Sequence, residues 1–374
     1  MRTYVLGPGL ELINKLVVEN LKHRPVRTLL STIAIGVQVT MVLTLVGLSR
    51  GVLEDQVRRS RGVGADILVR PPNSVVVTMS GDMTEKIVPF MAKQPHVVLA
   101  TGTLIEPTGM FTSVTGVDFP EFSRMTGGFR FVSGGPFRGP DDIIVDEYYA
   151  KQNKVRVGDT ITVKNHRWHV SGIFEQGKLA RLILPLQILQ NLTGRTGKVT
   201  SVYVKLDNPA NTRMVIDYLK AKLPDYQILS IDEFVSQFSV NNVPMLRQFI
   251  YVVIGLGVIV GFLVVFLAMY TAVLERTREI GVLKAIGASQ GFILNVLLRE
   301  TALLAVMGTV LGIIMTYGTR WLVMTFVPGT LNQTIVPDWW PIAAAIAIGG
   351  ALLGAAYPGV KAARQDAIEA LAYE

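Results

Sequence analysis

The sequence contains no cysteine, so neither a disulfide scaffold nor thiolate chemistry is open to it. Charge is scarce too: 17% of its 374 residues are Asp, Glu, Lys or Arg against 50% hydrophobic, which excludes a disordered chain. The scarcity is local. Between Arg27 and Arg50, Arg247 and Glu275, Glu300 and Arg320, and Asp338 and Lys361 lie 22, 27, 19 and 22 positions without Asp, Glu, Lys or Arg. About 20 apolar residues in a helix cross a hydrocarbon core of roughly 30 Å, so these gaps exclude a wholly soluble protein. Also missing are HExxH, GxSxG and paired-carboxylate arrangements, and the chain reads as non-catalytic.

A formal net charge of +8 raises the question of nucleic acid. Residues 53 to 245 hold 22 Lys+Arg against 19 Asp+Glu, with no basic stripe. Arg2, Lys15, Lys22, Arg24 and Arg27 stand directly before the first apolar stretch, which is membrane-flank charge. No nucleic-acid partner is expected; the lipid bilayer is.

Four spans place both termini on one side. Lys/Arg gather before the first span, at Arg276, Arg278 and Lys284, and at Lys361 and Arg364, while Trp321 to Asp338 has none. The positive-inside rule makes the termini and the short second connection cytoplasmic and the long segment extracytoplasmic. Trp321, Trp339 and Trp340 mark the outer interface. The first apolar stretch exceeds a signal-peptide core of about 7 to 15 residues, so it reads as an anchor.

The fold class expected is an α-helical membrane protein with four transmembrane helices plus an α+β extracytoplasmic domain between the first and second. The divisions are a cytoplasmic amphipathic N-terminal helix at 1–27, spans at 28–50, 248–274, 291–325 and 339–357, and the outer domain at 51–247. A cytoplasmic helix at 275–290, an outer loop at 326–338 and a cytoplasmic tail at 358–374 complete the chain. In the outer domain, strands are expected at 65–70, 75–79, 96–104, 201–206 and 226–231, and helices at 84–93 and 209–222, the latter capped by Asn208. These flank a Gly-rich, β-patterned stretch at about 128–197, which suggests an inserted subdomain. The second span would run to about 40 Å, long enough to continue outward as a stalk.

Two weak motifs are set aside. Gly172 to Leu179, GIFEQGKL, fits seven positions of a P-loop, but Leu179 replaces the hydroxyl that Mg²⁺ requires, so a β turn is expected. His166 and His169 on one strand point to opposite faces and lack further ligands, which favours packing or solvent exposure. No metal or cofactor is expected in this chain. Three GxxxG pairs, Gly257 with Gly261, Gly308 with Gly312 and Gly350 with Gly354, are expected to let helices pack closely. All charges lie at span ends, which disfavours a proton-driven carrier.

The informative stretch runs from Glu275 to Ser289. As a helix it would carry one charged face, with Ile280, Leu283, Ile286 and Gly287 towards another. It reads either as a lever for a cytoplasmic partner or as a juxtamembrane loop whose arginines set orientation. ERTREIGVLKAIGAS resembles the signature of ABC-transporter permeases of the MacB, FtsX and LolC/LolE superfamily. NLKHRPVRTLLSTIAI at 20–35, YPGVKAARQDAIEAL at 357–371, and DDIIVDEYYA with VRVGDTITV in 135–170 are similar to that family's first span, ending and periplasmic core.

The resemblance implies that Glu275, Arg276, Arg278, Glu279, Ile280, Gly281, Leu283, Lys284 and Gly287 form a coupling helix against an ABC ATPase subunit. ATP and Mg²⁺ would bind to that partner. It further implies a second permease copy, like or unlike, with a periplasmic adaptor or membrane fusion protein as a further candidate. The expected function is a permease subunit of the inner membrane, exporting a hydrophobic compound or peptide or releasing a lipoprotein. An FtsX-like regulator of a cell-wall hydrolase and an ATPase-independent scaffold are the alternatives.

Overall fold

A computed structural model describes residues 17, 19–23, 25–72, 81–108, 112–238, 244–326 and 332–365. Most of the N-terminal helix at 1–27, the strand at 75–79 and much of the outer loop and tail lie outside these residues. The chain forms two compact units, one of Met1–Ser49, Met245–Leu322 and Gln333–Glu374, the other of Arg50–Pro244 and Val323–Asn332.

The first unit holds the spans. Among the described residues, four helices are long and apolar enough to cross a membrane: α1 (Pro25–Arg61), which continues into the second unit, then α8 (Pro244–Glu275), α10 (Gln290–Phe326) and α11 (Trp340–Arg364). Pro25 opens α1, where its missing N–H costs nothing. Val17 and Leu21, four apart, are buried, while Glu19, Lys22 and His23 are exposed. Glycine decides how closely the spans approach. A Cβ at Gly308 would lie 2.6 Å from the Cβ of Ile35, and one at Gly312 would lie 2.6 Å from that of Val39. Gly261 abuts the amide of Gln38, Gly257 faces Met41 at 2.9 Å, and Gly354 faces the carbonyl of Phe262 at 2.7 Å. Gly350 is looser, at 3.9 Å from Val258. The GxxxG pairs thus pack helices of one chain against each other.

The second unit contains a ten-stranded mixed sheet. Its strands are β1 (Ile67–Arg70), β3 (Val97–Pro107), β4 (Ser113–Val117), β5 (Phe131–Gly134), β6 (Asp142–Asp146), β7 (Thr160–Val163), β8 (His166–Phe174), β9 (Leu182–Pro185), β11 (Ser201–Leu206) and β12 (Gln227–Ser230). Strands β2 (Met83–Thr84) and β10 (Lys198–Val199) pair separately. The order is β12-β1-β11-β3-β4-β9-β6-β8-β5, with β7 on β8. Side chains alternate between faces along a strand, and here both faces are apolar. Ile67, Val69, Ile143, Val145, Leu182, Leu184, Val202 and Val204 enter one core; Leu68, Ile144, Ile183 and Tyr203 enter the other. Helices cover both.

The strand ends at 65–70 and 226–231 contract to β1 and β12, and the helix at 84–93 contracts to α2 (Ile87–Ala92). The 209–222 helix begins as a 3-10 turn, Pro209–Asn211, with Asn208 accepting from the Ala210 N–H at 2.9 Å, then continues as α6 (Thr212–Lys222). The suggested inserted subdomain at 128–197 is corrected: parallel pairing of β4 with β9 joins it into one sheet, and its apolar residues share the cores of the flanking strands. Sequence order shows the insertion, but only non-local pairing shows the fusion. GIFEQGKL forms the end of β8 and a turn. Gly177 has φ +102°, and a Cβ on Gly62 would lie 1.6 Å from its carbonyl oxygen. Lys178 donates to the Thr126 carbonyl at 2.7 Å. His166 and His169 pair with Asp141 at 2.8 Å and Asp142 at 3.1 Å.

Candidate functional site

One short helix, α9 (Thr277–Ala285), joins the second and third spans. It starts where Arg276 leaves helical geometry, at φ −110° and ψ 12°. The Thr277 hydroxyl donates back to the Val273 carbonyl at 3.1 Å. It ends in a Schellman turn: the Ala288 N–H donates to Leu283 at 3.0 Å and the Gly287 N–H to Lys284 at 2.9 Å. The Ser289 hydroxyl then accepts from the Phe292 N–H at 3.2 Å, capping α10. Three residues therefore end one helix and begin the next.

Gly287 has φ +99°, and no heavy atom lies within 4 Å of a Cβ placed there. The backbone, not space, requires glycine. Gly287→Ala is expected to cost about 1 kcal/mol locally. Faster amide exchange confined to the peptide covering 277–289 would show it.

At about 100° per residue, Ile280, Lys284, Thr277 and Gly281 fall in one arc and Val282, Ile286, Glu279 and Leu283 in another. The first arc faces inward: Thr277, Ile280 and Gly281 are buried and Lys284 is half-buried. The second is open, with Val282, Leu283 and Ile286 exposed by 46%, 39% and 76%. Three apolar side chains bordered by Arg278 and Glu279 make a patch that water does not favour.

The grouping of Ile280 with Leu283 and Ile286 is corrected, because Ile280 is buried while Leu283 and Ile286 are exposed. Arg276, Ile280 and Gly281 hold the helix from within, while Glu275, Arg278, Glu279, Leu283 and Gly287 are exposed. Val282 was missed by sequence reasoning, although its spacing of four from Ile286 was the available signal.

At the start of α9 lies a buried charge cluster that sequence reasoning did not find. Glu300 on α10 has a side chain 0% exposed, and both its oxygens are engaged. Arg27 Nη2 donates to Oε1 at 2.5 Å, and Arg276 Nη1 donates to Oε2 at 3.1 Å. Arg276 Nη2 also donates to the Asn20 carbonyl at 3.3 Å. Such charge-assisted bonds are directional and, once buried, costly to break one partner at a time. Lys284 donates to the Gln365 carbonyl at the end of α11. Chain continuity joins α9 to α8 and α10, and these contacts add α1 and α11. The link to α1 runs through Glu300 of α10, whose carboxylate accepts from both Arg27 and Arg276.

The α1 helix is gripped in the sheet domain as well. Arg181, beside β9, donates to Asp55 at 2.8 Å, and its guanidinium lies 4.3 Å from the Tyr148 ring centroid. Asp55 also meets Arg58 at 3.0 Å and Arg59 at 3.2 Å. Nearby Asp146 caps α4 (Glu147–Asn153) by accepting from the Tyr149 N–H at 2.7 Å. Burial raises the Asp146 carboxyl to about 6. The folded state therefore binds the extra proton between the unfolded value near 4 and about 6, so this group's contribution is present below pH 4 and lost as pH rises through 6. Asp146→Asn keeps the cap and removes the titration. Its stability relative to the parent is expected to improve by about 3 kcal/mol between pH 4 and 7. Exchange protection of the β6 and α4 amides, corrected for intrinsic rates, measures this.

Residues 28–222 match the family model of the MacB-like periplasmic core domain, and residues 251–367 match that of the FtsX-like permease C-terminal region. The chain belongs to the MacB/FtsX permease family. Within it, the chain is 37% identical over 133 residues to the ABC transporter permease YtrF of Bacillus subtilis, covering 32% of this chain and 30% of that one. It is 25% identical over 392 residues to the macrolide export ATP-binding/permease protein MacB of Burkholderia cenocepacia, covering 94% of this chain and 56% of the other. The chain thus spans about a third to just over half the length of these relatives. The periplasmic region of MacB from Actinobacillus actinomycetemcomitans aligns with a TM-score of 0.37 at 16% identity, covering 47% of this chain and 94% of that structure. The FtsX-like match takes in the exposed patch, Arg276 and Glu300, while Arg27 precedes the matched core-domain segment by one residue.

Proposed function

We propose that this MacB/FtsX permease is a non-catalytic membrane subunit that receives work from a separate ABC ATPase at α9 and delivers it to its extracytoplasmic domain. The carrying observation is the pairing of an exposed apolar patch, Val282, Leu283 and Ile286, with the buried Arg27–Glu300–Arg276 cluster at the start of the same helix. A patch that merely ended a loop would need no such anchorage. ATP and Mg²⁺ belong to the partner, whose closure pulls on α9. The termini and α9 are cytoplasmic, in the inner membrane of the cell, and two permease copies, like or unlike, oppose each other.

Length supports the outward transmission. At 1.5 Å per residue the 32 residues of α8 measure about 48 Å, well beyond a hydrocarbon core of about 30 Å. The Asp55–Arg181 grip on α1 supplies the outer attachment. The cargo class that fits is hydrophobic: an apolar compound, a hydrophobic peptide or a lipoprotein, handled from the membrane side. Affinity purification of the full chain from its native membrane, followed by an ATP-hydrolysis assay and identification of bound chains, tests the reading. Co-purification of an ABC ATPase is expected. A stable preparation without one, from cells expressing the cognate ATPase, contradicts it.

A further inference from the structure

We infer that the cleft between the second and fourth spans is a binding site for one anionic glycerophospholipid. On α8, Phe262, Phe266 and Tyr270 recur every four residues and form a ladder, with successive ring centroids 6.1 Å apart and planes 20° and 15° from parallel. Tyr357 of α11 adds a fourth ring, 6.0 Å from Phe266. The two helices come this close because Gly354 has no side chain; a Cβ there would meet the Phe262 carbonyl at 2.7 Å and the Phe266 nitrogen at 3.2 Å. Leu353 and Tyr357 are exposed by 67% and 61%, so the cleft opens towards the bilayer.

An apolar helix face in a membrane is covered by some acyl chain; selection requires a polar group at a fixed height. The ladder ends at one. The Lys361 ammonium lies 5.1 Å from the Tyr270 ring centroid and 3.4 Å from its hydroxyl. Lys361 is the first charge after the fourth apolar run, at the level where hydrocarbon gives way to headgroups. Arg364 follows three positions later, on the same face of α11, and both are exposed. A phosphodiester here accepts from the Lys361 ammonium while an acyl chain lies along Phe266 and Tyr357. A zwitterionic lipid brings its own cation into the same space, so charge complementarity selects a lipid of net negative charge.

Native mass spectrometry of the detergent-purified full chain tests this, with phosphatidylglycerol and phosphatidylcholine of identical acyl composition added in turn. Phosphatidylglycerol should be retained about fivefold better, the factor one basic side chain contributes beside anionic lipid. Lys361→Gln should abolish the preference without reducing phosphatidylcholine binding, and Lys361→Arg should keep it. Lys22→Gln, another exposed cation of the membrane unit, should leave it intact. Equal retention of the two lipids by the parent chain would overturn the assignment. So would a preference that survives Lys361→Gln or falls equally with Lys22→Gln. Displacement of bound phosphatidylglycerol by millimolar inorganic phosphate would also overturn it, since the acyl chain would then contribute nothing.

Discussion

Glu300→Ala is expected to destabilise the membrane unit by about 3 to 5 kcal/mol, because it removes the buried carboxylate to which Arg27 and Arg276 both donate. Melting of the detergent-purified chain, followed by tryptophan fluorescence, measures that loss. Replacing the whole cluster separates stability from coupling. A triple variant, Arg27→Met with Glu300→Leu and Arg276→Met, removes the desolvated charges together and should recover most of the lost stability, since buried ion clusters often exchange for packed apolar residues at little net cost. It should nonetheless remain uncoupled. Its ATPase partner would bind, while the response of ATP hydrolysis to reconstitution with the permease would be lost. Parent-like coupling in the triple variant would reduce the cluster to packing.

The second large effect is expected at the patch. Leu283→Glu adds a charge to the exposed arc. Loss of an interface hot spot costs about 2 kcal/mol or more, which is about 30-fold in affinity. Titration of the labelled ATPase against the permease in nanodiscs should show at least that loss, with the melting temperature unchanged. Ile286→Asp should behave alike. Val98→Glu, at an exposed apolar site in the sheet domain, should have no effect. If Leu283→Glu binds the ATPase as tightly as the parent, α9 is not the docking element.

Much of this was legible from residue order alone, and the reason is locality. Spans are long runs whose periodicity and charge boundaries lie within one stretch of chain. Strands such as Ser201–Leu206 announce themselves by alternation. Gly287 and Ser289 each act within four residues, so the end of α9 and the start of α10 can be read from GAS. The Arg27–Glu300–Arg276 cluster could not be read that way. Its members are as much as 273 positions apart, and each, taken singly, is the charge expected at the end of a span. Only folding brings the three together. The parallel β4–β9 pairing was hidden for the same reason, since both strands have more adjacent candidates in sequence. The phase of α9 was ambiguous because apolar residues lie on both its arcs, and burial by neighbouring helices, not composition, decides which arc is open.

The most direct test is the sidedness of α9 relative to the sheet domain. The absence of native cysteine permits single-cysteine reporters on an otherwise unreactive chain. Leu283→Cys and Lys220→Cys both place the thiol at exposed positions. In intact spheroplasts, a membrane-impermeant maleimide should label position 220 at once and position 283 only after permeabilisation. Labelling of both positions from the same side would contradict the transfer of work across the membrane.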